Sequence, residues 1–392
     1  MSTDAPREGT APPRDALTRR EFSKVAAGLA LAPGLIESHL ATPAPHAAST
    51  AAWPGYDGAM VIDFLASAGP FNTPVSVDAL TPEMLRNVQE SGITAINLTI
   101  GGRNPEEVFT TIARWERDLE RHPGVLMKIR TSSDLQVAKR ERKLGLIYGF
   151  QDGVAIDRDL SRVALYHAFG LRIVQLTYNV RNLFGDGCLQ PENGGLTPLG
   201  RELVERLNAQ GVIVDLGHCG QRTTAEAIAH SGRPVAISHS ACRAIADRPR
   251  SKRDAELKAM ADKGGVIGLY LMPFLSMQGQ PTSDDLLRHI EHAVNVCGED
   301  HVGIGSDLSI TPHVVDDAYM RTHRTFVEGR LKAGIAAPGE DPDVPMFVSD
   351  LNTPRRMERI AEKLQQRGHG AARIEKILGG NFARLIRDTW LR

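Results

Sequence analysis

Cysteine, net charge and long apolar runs are all scarce in this sequence, and each shortage excludes a class of protein. Four cysteines in 392 residues, with no C-x-x-C spacing, indicate neither a zinc ribbon nor a disulfide framework. Lysine and arginine number 46 against 47 acids, so a net charge of −1 gives no electrostatic reason to expect nucleic acid as a partner. Hydrophobic residues make up 42% and charged residues 24%, which is typical of a globular protein and not of a disordered, collagen-like or polytopic membrane chain.

The common nucleotide and nucleophile motifs are also missing. Neither G-x-G-x-x-G nor the P-loop pattern follows an apolar run, which argues against a nucleotide or dinucleotide cofactor. G-x-S-x-G, the signature of many serine hydrolases, is absent too. We therefore expect any chemistry to depend on dispersed polar residues.

The first 52 residues differ in composition from the rest of the chain. Alanine and proline recur there, and Arg19 and Arg20 precede an apolar stretch at 25–36 that is too short to cross a bilayer. This arrangement resembles a twin-arginine signal peptide, with small residues for cleavage at 44–49. We expect residues 1–52 to be such a signal with a disordered leader, recognised by the twin-arginine export machinery of a bacterium. The mature protein would then be periplasmic or extracellular, with no transmembrane span; a chance arginine pair in a disordered tail is the alternative.

From residue 57 onward, short β-branched runs alternate with longer segments of helical period, the pattern of βαβ units and a parallel sheet. No linker or internal repeat divides this part, so residues 53–392 are predicted to form a single domain of the α/β class, a (β/α)8 TIM-type barrel. Nine runs are one more than this fold needs, and we assign Val125–Ile129 as the surplus strand. Ile310–Val348 is predicted to be a long excursion after the eighth strand, and Ala371–Thr389 a C-terminal helix. The nine predicted strands are Met60–Leu65, Ala95–Ile100, Val125–Ile129, Gly145–Phe150, Ile173–Thr177, Val212–Leu216, Val235–Ser238, Val266–Leu271 and Val302–Gly305.

Polar residues at the carboxyl ends of the predicted strands are the candidates for chemistry, because barrel enzymes place their active sites there. His218 follows the fifth barrel strand, His239 ends the sixth, and Asp307 follows the eighth. Histidines that end neighbouring strands come within several Å of one another, and two histidines with a carboxylate form a known type of catalytic zinc site. The alternative is that both histidines are hydrogen-bonded core residues.

These segments also carry a resemblance to a known family. The sequence resembles the membrane dipeptidase (renal dipeptidase-like) family, a metal-dependent branch of the amidohydrolase-like barrels, over nearly all of residues 57–390. The matching segments are GLRIVQLTYN at 170–179, GLTPLG at 195–200, VIVDLGH at 212–218, PVAISHS at 234–240, VGIGSD at 302–307 and GGNF at 379–382.

The resemblance implies roles for individual residues. Family enzymes bind two zinc ions, and His218 and His239 match the histidines of one of the two sites. Asp307 matches the acid/base that shuttles the proton, and Arg250 matches the arginine that receives the terminal carboxylate of the substrate. Tyr178 stands where many members have a histidine that polarises the scissile carbonyl, and its hydroxyl offers the same hydrogen bond.

The other zinc site departs from the family pattern. Leu65 and Ser67 occupy the positions of the His-x-Asp ligands after the first strand, and Gln151 replaces the glutamate that bridges the two metals. We therefore expect no binuclear site. At most one zinc ion is expected, held by His218 and His239, with the Gln151 oxygen or Asp307 as a further, weaker ligand.

The function that follows is an exported metallo-dipeptidase-like hydrolase acting on a dipeptide or a related small amide that bears a carboxylate. Two alternatives remain open: an inactive exported binding or accessory protein, or a repurposed barrel that acts on a peptide natural product. In the latter case His313 and His323, in the excursion, could supply ligands that the first strand lacks, although the favoured alternative is that both are solvated loop histidines. The resemblance also leaves a homodimer open.

Overall fold

Eight parallel strands form a closed ring in the computed structural model, which describes residues 53–73 and 76–391. Each strand pairs with its neighbour along the chain, and the ring closes because β1 pairs with both β2 and β8. The predicted (β/α)8 barrel is thus confirmed, whereas the predicted signal at 1–52 lies outside the described residues. The ring strands are β1 (Ile62–Asp63), β2 (Ala95–Thr99), β3 (Leu144–Phe150), β4 (Leu171–Gln175), β5 (Ile213–Asp215), β6 (Ala236–Ser240), β7 (Val266–Leu269) and β8 (Val302–Ile304).

Two short pairings lie outside the ring. Leu126–Lys128 pairs only with the beginning of β3, so the run assigned as surplus is the strand that the ring leaves out. Ala66–Ser67 pairs with Leu308–Ser309 and joins the chain after β1 to the chain after β8. The residues at these two strand ends, including Asp307, are thereby held at one side of the barrel mouth.

Helices alternate with the ring strands and cover them. Several begin with a proline after a capping side chain: the Thr81 hydroxyl accepts the Met84 N–H, and the Thr197 hydroxyl accepts the Gly200 N–H. The helices are α1 (Pro82–Ser91), α2 (Pro105–Arg121), α3 (Asp134–Glu141), α4 (Arg162–Ala168), α5 (Pro198–Gln210), α6 (Gln221–His230), α7 (Asp254–Asp262), α8 (Ser283–Cys297), α9 (Asp317–Lys332), α10 (Arg356–Gln366), α11 (Ala371–Glu375) and α12 (Asn381–Thr389).

The C-terminal segment differs from the single helix predicted over Ala371–Thr389. It consists of α11, a π-helical turn at Lys376–Gly380, and α12. Gly379 interrupts the helix where it touches the barrel, since a Cβ there would lie 2.4 Å from the Met60 carbonyl oxygen. The hydrophobic period predicted helix on both sides of this contact but not the close approach itself.

The excursion after β8 contains α9 and folds over the barrel mouth. It returns to the barrel through Val348, whose N–H donates to the Leu271 carbonyl oxygen at 3.1 Å. None of the helices within the described residues has both the length and the apolar character needed to cross a membrane.

Candidate active site

The barrel mouth brings together the two histidines that follow β5 and end β6. Nε2 of His218 lies 2.9 Å from Nε2 of His239, and both side chains are buried. Gly217 permits this approach, because a Cβ at this position would lie 3.2 Å from the His239 ring and 2.6 Å from Gln175 Oε1. The two side chains thus converge on one point, as expected for residues at the ends of neighbouring strands.

Hydrogen bonds on the far side of each ring fix where the protons are. Asn179 donates Nδ2 to the Ile335 carbonyl oxygen at 3.0 Å, so its Oδ1 faces His218 at 2.5 Å and accepts a hydrogen bond from Nδ1–H. The Ser238 hydroxyl donates to Asp215 Oδ2 at 2.5 Å and therefore accepts from His239 Nδ1 at 2.7 Å. Both Nδ1 atoms carry hydrogen, and both Nε2 lone pairs point at each other.

Two lone pairs that face each other at this distance repel, and a cation bound by both nitrogens relieves the repulsion. Such a pair, with a carbonyl oxygen and a serine–carboxylate pair behind the rings, has the character of histidines that ligate a divalent ion. No group of three or more His, Cys, Asp or Glu in the described part of the chain is arranged to hold a metal. In the described part of the chain, the two histidine nitrogens are therefore the side-chain ligands of these types that converge at this point.

Positive charge surrounds the histidine pair. Burial first, and Arg250 second, lower the pKa of both histidines well below the usual value, so both rings are neutral at pH 7. Arg250 is 3% exposed and donates to the carbonyl oxygens of Gly217 and His239, the latter at 3.3 Å. Lys252 is buried nearby and donates Nζ to the Cys219 carbonyl oxygen at 2.8 Å. These cations work against tight binding of a divalent ion.

Asp307 is held at the mouth by its backbone. Its N–H donates to the Leu65 carbonyl oxygen at 2.8 Å, and its own carbonyl oxygen accepts Asn72 Nδ2 at 2.6 Å. The residue adopts φ 62°, in the left-handed region that aspartate and asparagine tolerate better than most residues. Burial raises the pKa of its carboxyl to about 7, against the opposing influence of Arg250. Such a group exchanges protons near neutral pH.

Tyr178 packs on His218 with ring centroids 4.1 Å apart and an interplanar angle of 27°. Burial raises the pKa of its hydroxyl, and Arg330 from α9 opposes this by a side-chain hydrogen bond. Arg330 is itself bound to Glu340 at 2.6 Å and 2.8 Å. The tyrosine predicted from the strand end is thus linked to the excursion.

The excursion closes the site. A cavity of about 20 Å³ is left between the mouth and the excursion, enough for a water molecule and too small for a dipeptide. Its walls include His218, Arg250 and Asp307 from the barrel and Phe326 and Arg330 from α9. Substrate entry therefore requires the segment from Asp317 onward to move.

The positions that depart from the family pattern are at or near the mouth. Leu65 is 1% exposed and contributes its carbonyl oxygen to Asp307, while the Ser67 hydroxyl accepts the Gly69 N–H at 3.1 Å. Gln151 contributes its carbonyl oxygen to Gln175 Nε2, and its side chain is absent from the described walls of the cavity. A role for Gln151 as a ligand stays a prediction.

His313 and His323 lie in the excursion and away from the histidine pair. His323 Nε2 is bound to the Asp341 carbonyl oxygen at 3.1 Å, and the His313 ring packs on Phe347 with centroids 5.5 Å apart. Neither lines the cavity that contains His218 within the described part of the structure.

Several residues of the site were not assigned roles from the sequence. Asn179 and Ser238 directly adjoin predicted site residues, and their position next to strand-end histidines is a signal for hydrogen-bond partners. Arg330 and Glu340 lie in a segment with no motif, about 20 to 30 residues beyond Asp307, and only the fold brings them to the mouth.

Comparisons with known proteins identify the family. Residues 71–320 match the family model described as membrane dipeptidase, peptidase family M19. A protein of Klebsiella pneumoniae described as an uncharacterized protein in the pqqA 5′ region is 26% identical over 278 residues, 68% of this chain and 90% of that one. The dipeptidase tcpJ of Claviceps purpurea is 24% identical over 287 residues, 72% of this chain and 60% of its own length.

A solved structure agrees. The crystal structure of an amidohydrolase from Pseudomonas aeruginosa superposes with a TM-score of 0.72 at 28% identity, covering 86% of this chain and 98% of that one. The matched range spans Tyr178, His218, His239, Arg250 and Asp307. The chain belongs to the membrane dipeptidase family, whose members are zinc-dependent peptidases, and is a metallodipeptidase-like hydrolase.

Proposed function

We propose that this protein is an exported hydrolase that uses a single zinc ion to cleave the amide bond of a dipeptide or a related small amide bearing a carboxylate. The observation that carries the proposal is the convergence of His218 Nε2 and His239 Nε2 at 2.9 Å beside a cavity whose walls include His218, Asp307 and Arg250. The described relatives that carry a dipeptidase name support the reaction class.

The histidine pair would hold the ion. When bound there, zinc supplies Lewis-acid polarisation and lowers the pKa of water. Asn179 and Ser238 keep both Nε2 atoms unprotonated for this purpose, since each accepts a hydrogen bond from the Nδ1–H on the opposite side of its histidine ring. The surrounding cations predict a weaker affinity than a site with an additional carboxylate would have.

Asp307 acts as the general base and then as the general acid. Hydrolysis adds water to the carbonyl carbon and breaks the C–N bond, so one proton must leave the water and one must reach the amine nitrogen. A buried carboxyl with a pKa near 7 accepts the first and donates the second. No additional reactant is needed.

Arg250 and Tyr178 orient the substrate. The guanidinium of Arg250 keeps N–H groups beyond those bound to Gly217 and His239, and these are available to a carboxylate. Tyr178, fixed against His218, offers its hydroxyl to the carbonyl oxygen of the amide once α9 and Arg330 have moved.

A binding protein without turnover is the second candidate. It is favoured by one observation, the absence of a third His, Cys, Asp or Glu ligand in the described residues. Arg250 and the closed excursion would then retain a small carboxylate without cleaving it.

An assay of dipeptide hydrolysis by the zinc-loaded protein, in which the released amine is measured, distinguishes the hydrolase from the binding protein. We expect hydrolysis that is lost on chelation, restored by zinc and lowered at least 100-fold in Asp307→Asn. Asp262→Asn, which changes an exposed acid on α7, is the matched control. Carboxylate binding without turnover in the loaded protein would establish the second candidate.

The export signal is a separate part of the proposal and rests on Arg19, Arg20 and the short apolar stretch at 25–36. Replacing both arginines with lysine keeps the charge but removes the guanidinium pair. We expect the variant to accumulate in the cytoplasm of a host with twin-arginine transport, and periplasmic recovery equal to the wild type would refute the assignment.

A further inference from the structure

A second, larger cavity adjoins the catalytic centre. It has a volume of about 320 Å³, within the range of small-molecule pockets, and lies between the chain that follows β1, the chain that follows β8, and α9. It shares Asn72, Phe326 and Met346 with the small cavity at His218 and Asp307. A group bound there would lie next to the reacting atoms.

Asn72 lies at the boundary between the two cavities. It lines both of them and donates Nδ2 to the Asp307 carbonyl oxygen at 2.6 Å. Arg250 lines only the small cavity. A substrate with its carboxylate at Arg250 and its amide beside Asp307 therefore directs its acyl side toward the large cavity.

The exposed surface of the large cavity's walls is mostly apolar. Met84, Leu308, Tyr319 and Phe326 supply apolar and aromatic surface. None of its described lining residues is an aspartate, glutamate, lysine or arginine. Two histidines, His313 and His323, also line the walls. His313 adds no charge near pH 7, because burial lowers its pKa to about 4.

Two acids that line the small cavity are engaged, and the nearby Asp63, whose Oδ2 has no hydrogen-bond partner in the described residues, is fully buried and lines neither cavity. Glu340 is paired with Arg330 and 8% exposed, and Asp307 faces Arg250 and serves the proton transfer. Leu65, whose carbonyl oxygen accepts the Asp307 N–H, and Ser67 are neutral and line neither cavity in the described structure. An α-ammonium group adjacent to the scissile carbonyl would thus be buried with no free carboxylate in the described walls of either cavity, which is unfavourable.

We infer that the large cavity binds a bulky apolar or aromatic acyl group that carries no ammonium, so the substrate class is the N-acyl amino acid and not the dipeptide with a free amino terminus. This inference rests on the proposed function, since it takes the amide to lie beside Asp307. The ring nitrogens of His313 make no hydrogen bond to the described residues and are free to bind a polar atom of the acyl group.

Two probes isolate the ammonium group. Phenylalanyl-alanine and 3-phenylpropanoyl-alanine share the phenyl ring, the amide and the carboxylate, and differ only in whether an ammonium or a hydrogen stands beside the carbonyl. Calorimetric binding to the full-length protein with chelator, and hydrolysis by the zinc-loaded protein, are measured for both. We expect the 3-phenylpropanoyl compound to bind at least tenfold more tightly and to show the higher kcat/KM.

Helix α9 offers a matched pair of variants. Thr322 lines the cavity and Thr325 is exposed, yet each donates its hydroxyl to the carbonyl oxygen four residues earlier at 3.0 Å. Thr322→Glu places a carboxylate in the wall and is expected to reduce the preference for the neutral probe at least fivefold. Thr325→Glu should leave the preference unchanged. Thr322→Gln, of equal size and no charge, controls for filling the cavity and keeps the test valid if Thr322→Glu does not fold.

The outcomes separate this inference from the proposed function. Hydrolysis of both probes with equal or better use of phenylalanyl-alanine would overturn the inference and leave the hydrolase intact. Tighter binding of the neutral probe without hydrolysis of either would support the cavity assignment and refute the hydrolase. An unchanged preference in both Thr322→Glu and Thr322→Gln would place the acyl group elsewhere and overturn the inference.

Discussion

His218 and His239 face each other through their Nε2 atoms at 2.9 Å, although the hydrogen bonds to Asn179 and Ser238 place the proton of each ring on Nδ1. Two lone pairs at this distance repel unless a cation or proton lies between them. The fold holds the rings in place through residues behind them, so the arrangement is prepared for a ligand that accepts both lone pairs.

Zinc should therefore stabilise the chelator-treated protein through this pair. A free zinc concentration 100 times the Kd is expected to raise the free energy of unfolding by about 2.7 kcal/mol. His239→Gln should remove the increase, as followed by thermal unfolding with and without zinc. His301→Gln, which alters a half-buried histidine bound to the Gly265 carbonyl oxygen, should retain it. Equal stabilisation of both variants would mean that zinc binds elsewhere.

Ser238→Ala should weaken zinc binding without removing a ligand. The variant loses the hydroxyl that accepts His239 Nδ1–H and links it to Asp215. Loss of such an orienting partner costs about 10- to 100-fold in metal affinity, measured by competition with a chromogenic chelator. Ser240→Ala on the same strand removes a bond to the Arg250 carbonyl oxygen and should have a much smaller effect. Equal affinities for the wild type and Ser238→Ala would contradict the role of Ser238.

Asp307→Asn should make the metal-free protein more stable at high pH. A carboxyl whose pKa rises from 3.8 to about 7 on folding is destabilising once the unfolded chain is ionised. The penalty begins above pH 4, is complete above pH 7 and amounts to about 4 kcal/mol. Urea unfolding at pH 4 and pH 8 should show a gain for the variant at pH 8 only. A gain of the same size at both pH values would show that ionisation of Asp307 is not the cause.

The same carboxyl predicts the pH dependence of turnover. Because Asp307 must accept a proton from water, kcat/KM should rise as the pH increases through about 7 and then level off. A profile already flat from pH 5 upward would exclude a base with this pKa.

Glu340→Gln should open the excursion without unfolding the barrel. Glu340 accepts Nε and Nη2 of Arg330 and the Ala337 N–H, and its side chain is 1% exposed. Breaking a buried ion pair from one side costs about 3–5 kcal/mol. Hydrogen exchange at 317–348 should quicken while the ring strands stay protected. Faster exchange throughout the chain would instead show that the Arg330–Glu340 pair stabilises the whole fold.

The barrel and the strand-end residues were predictable because each depends on local pattern. Buried parallel strands read as uninterrupted apolar runs, and the residue after each run must lie at the mouth. The assignment of Val125–Ile129 as a strand outside the barrel also followed from the number of apolar runs. The prediction was less accurate for the first strand, Met60–Leu65. The structure has a ring strand at Ile62–Asp63 and a separate short strand at Ala66–Ser67, which pairs with Leu308–Ser309.

The closing residues could not be predicted because they depend on contacts between distant segments. Most residues of α9 are exposed, and the helix accordingly has only a weak hydrophobic period. Arg330 contacts Tyr178 only because the excursion folds back over the barrel mouth. Gly379 likewise gave no local signal for the break in the C-terminal helix, because its cause is the Met60 backbone.

The number of zinc ions per chain decides whether the barrel mouth is a site for a single ion. A crystal of the zinc-loaded protein, with anomalous scattering at the zinc edge, counts the ions and places each of them. We predict one ion bound by Nε2 of His218 and Nε2 of His239, and none beside Leu65 and Ser67. Two ions at the mouth, or none at the histidine pair, would contradict it.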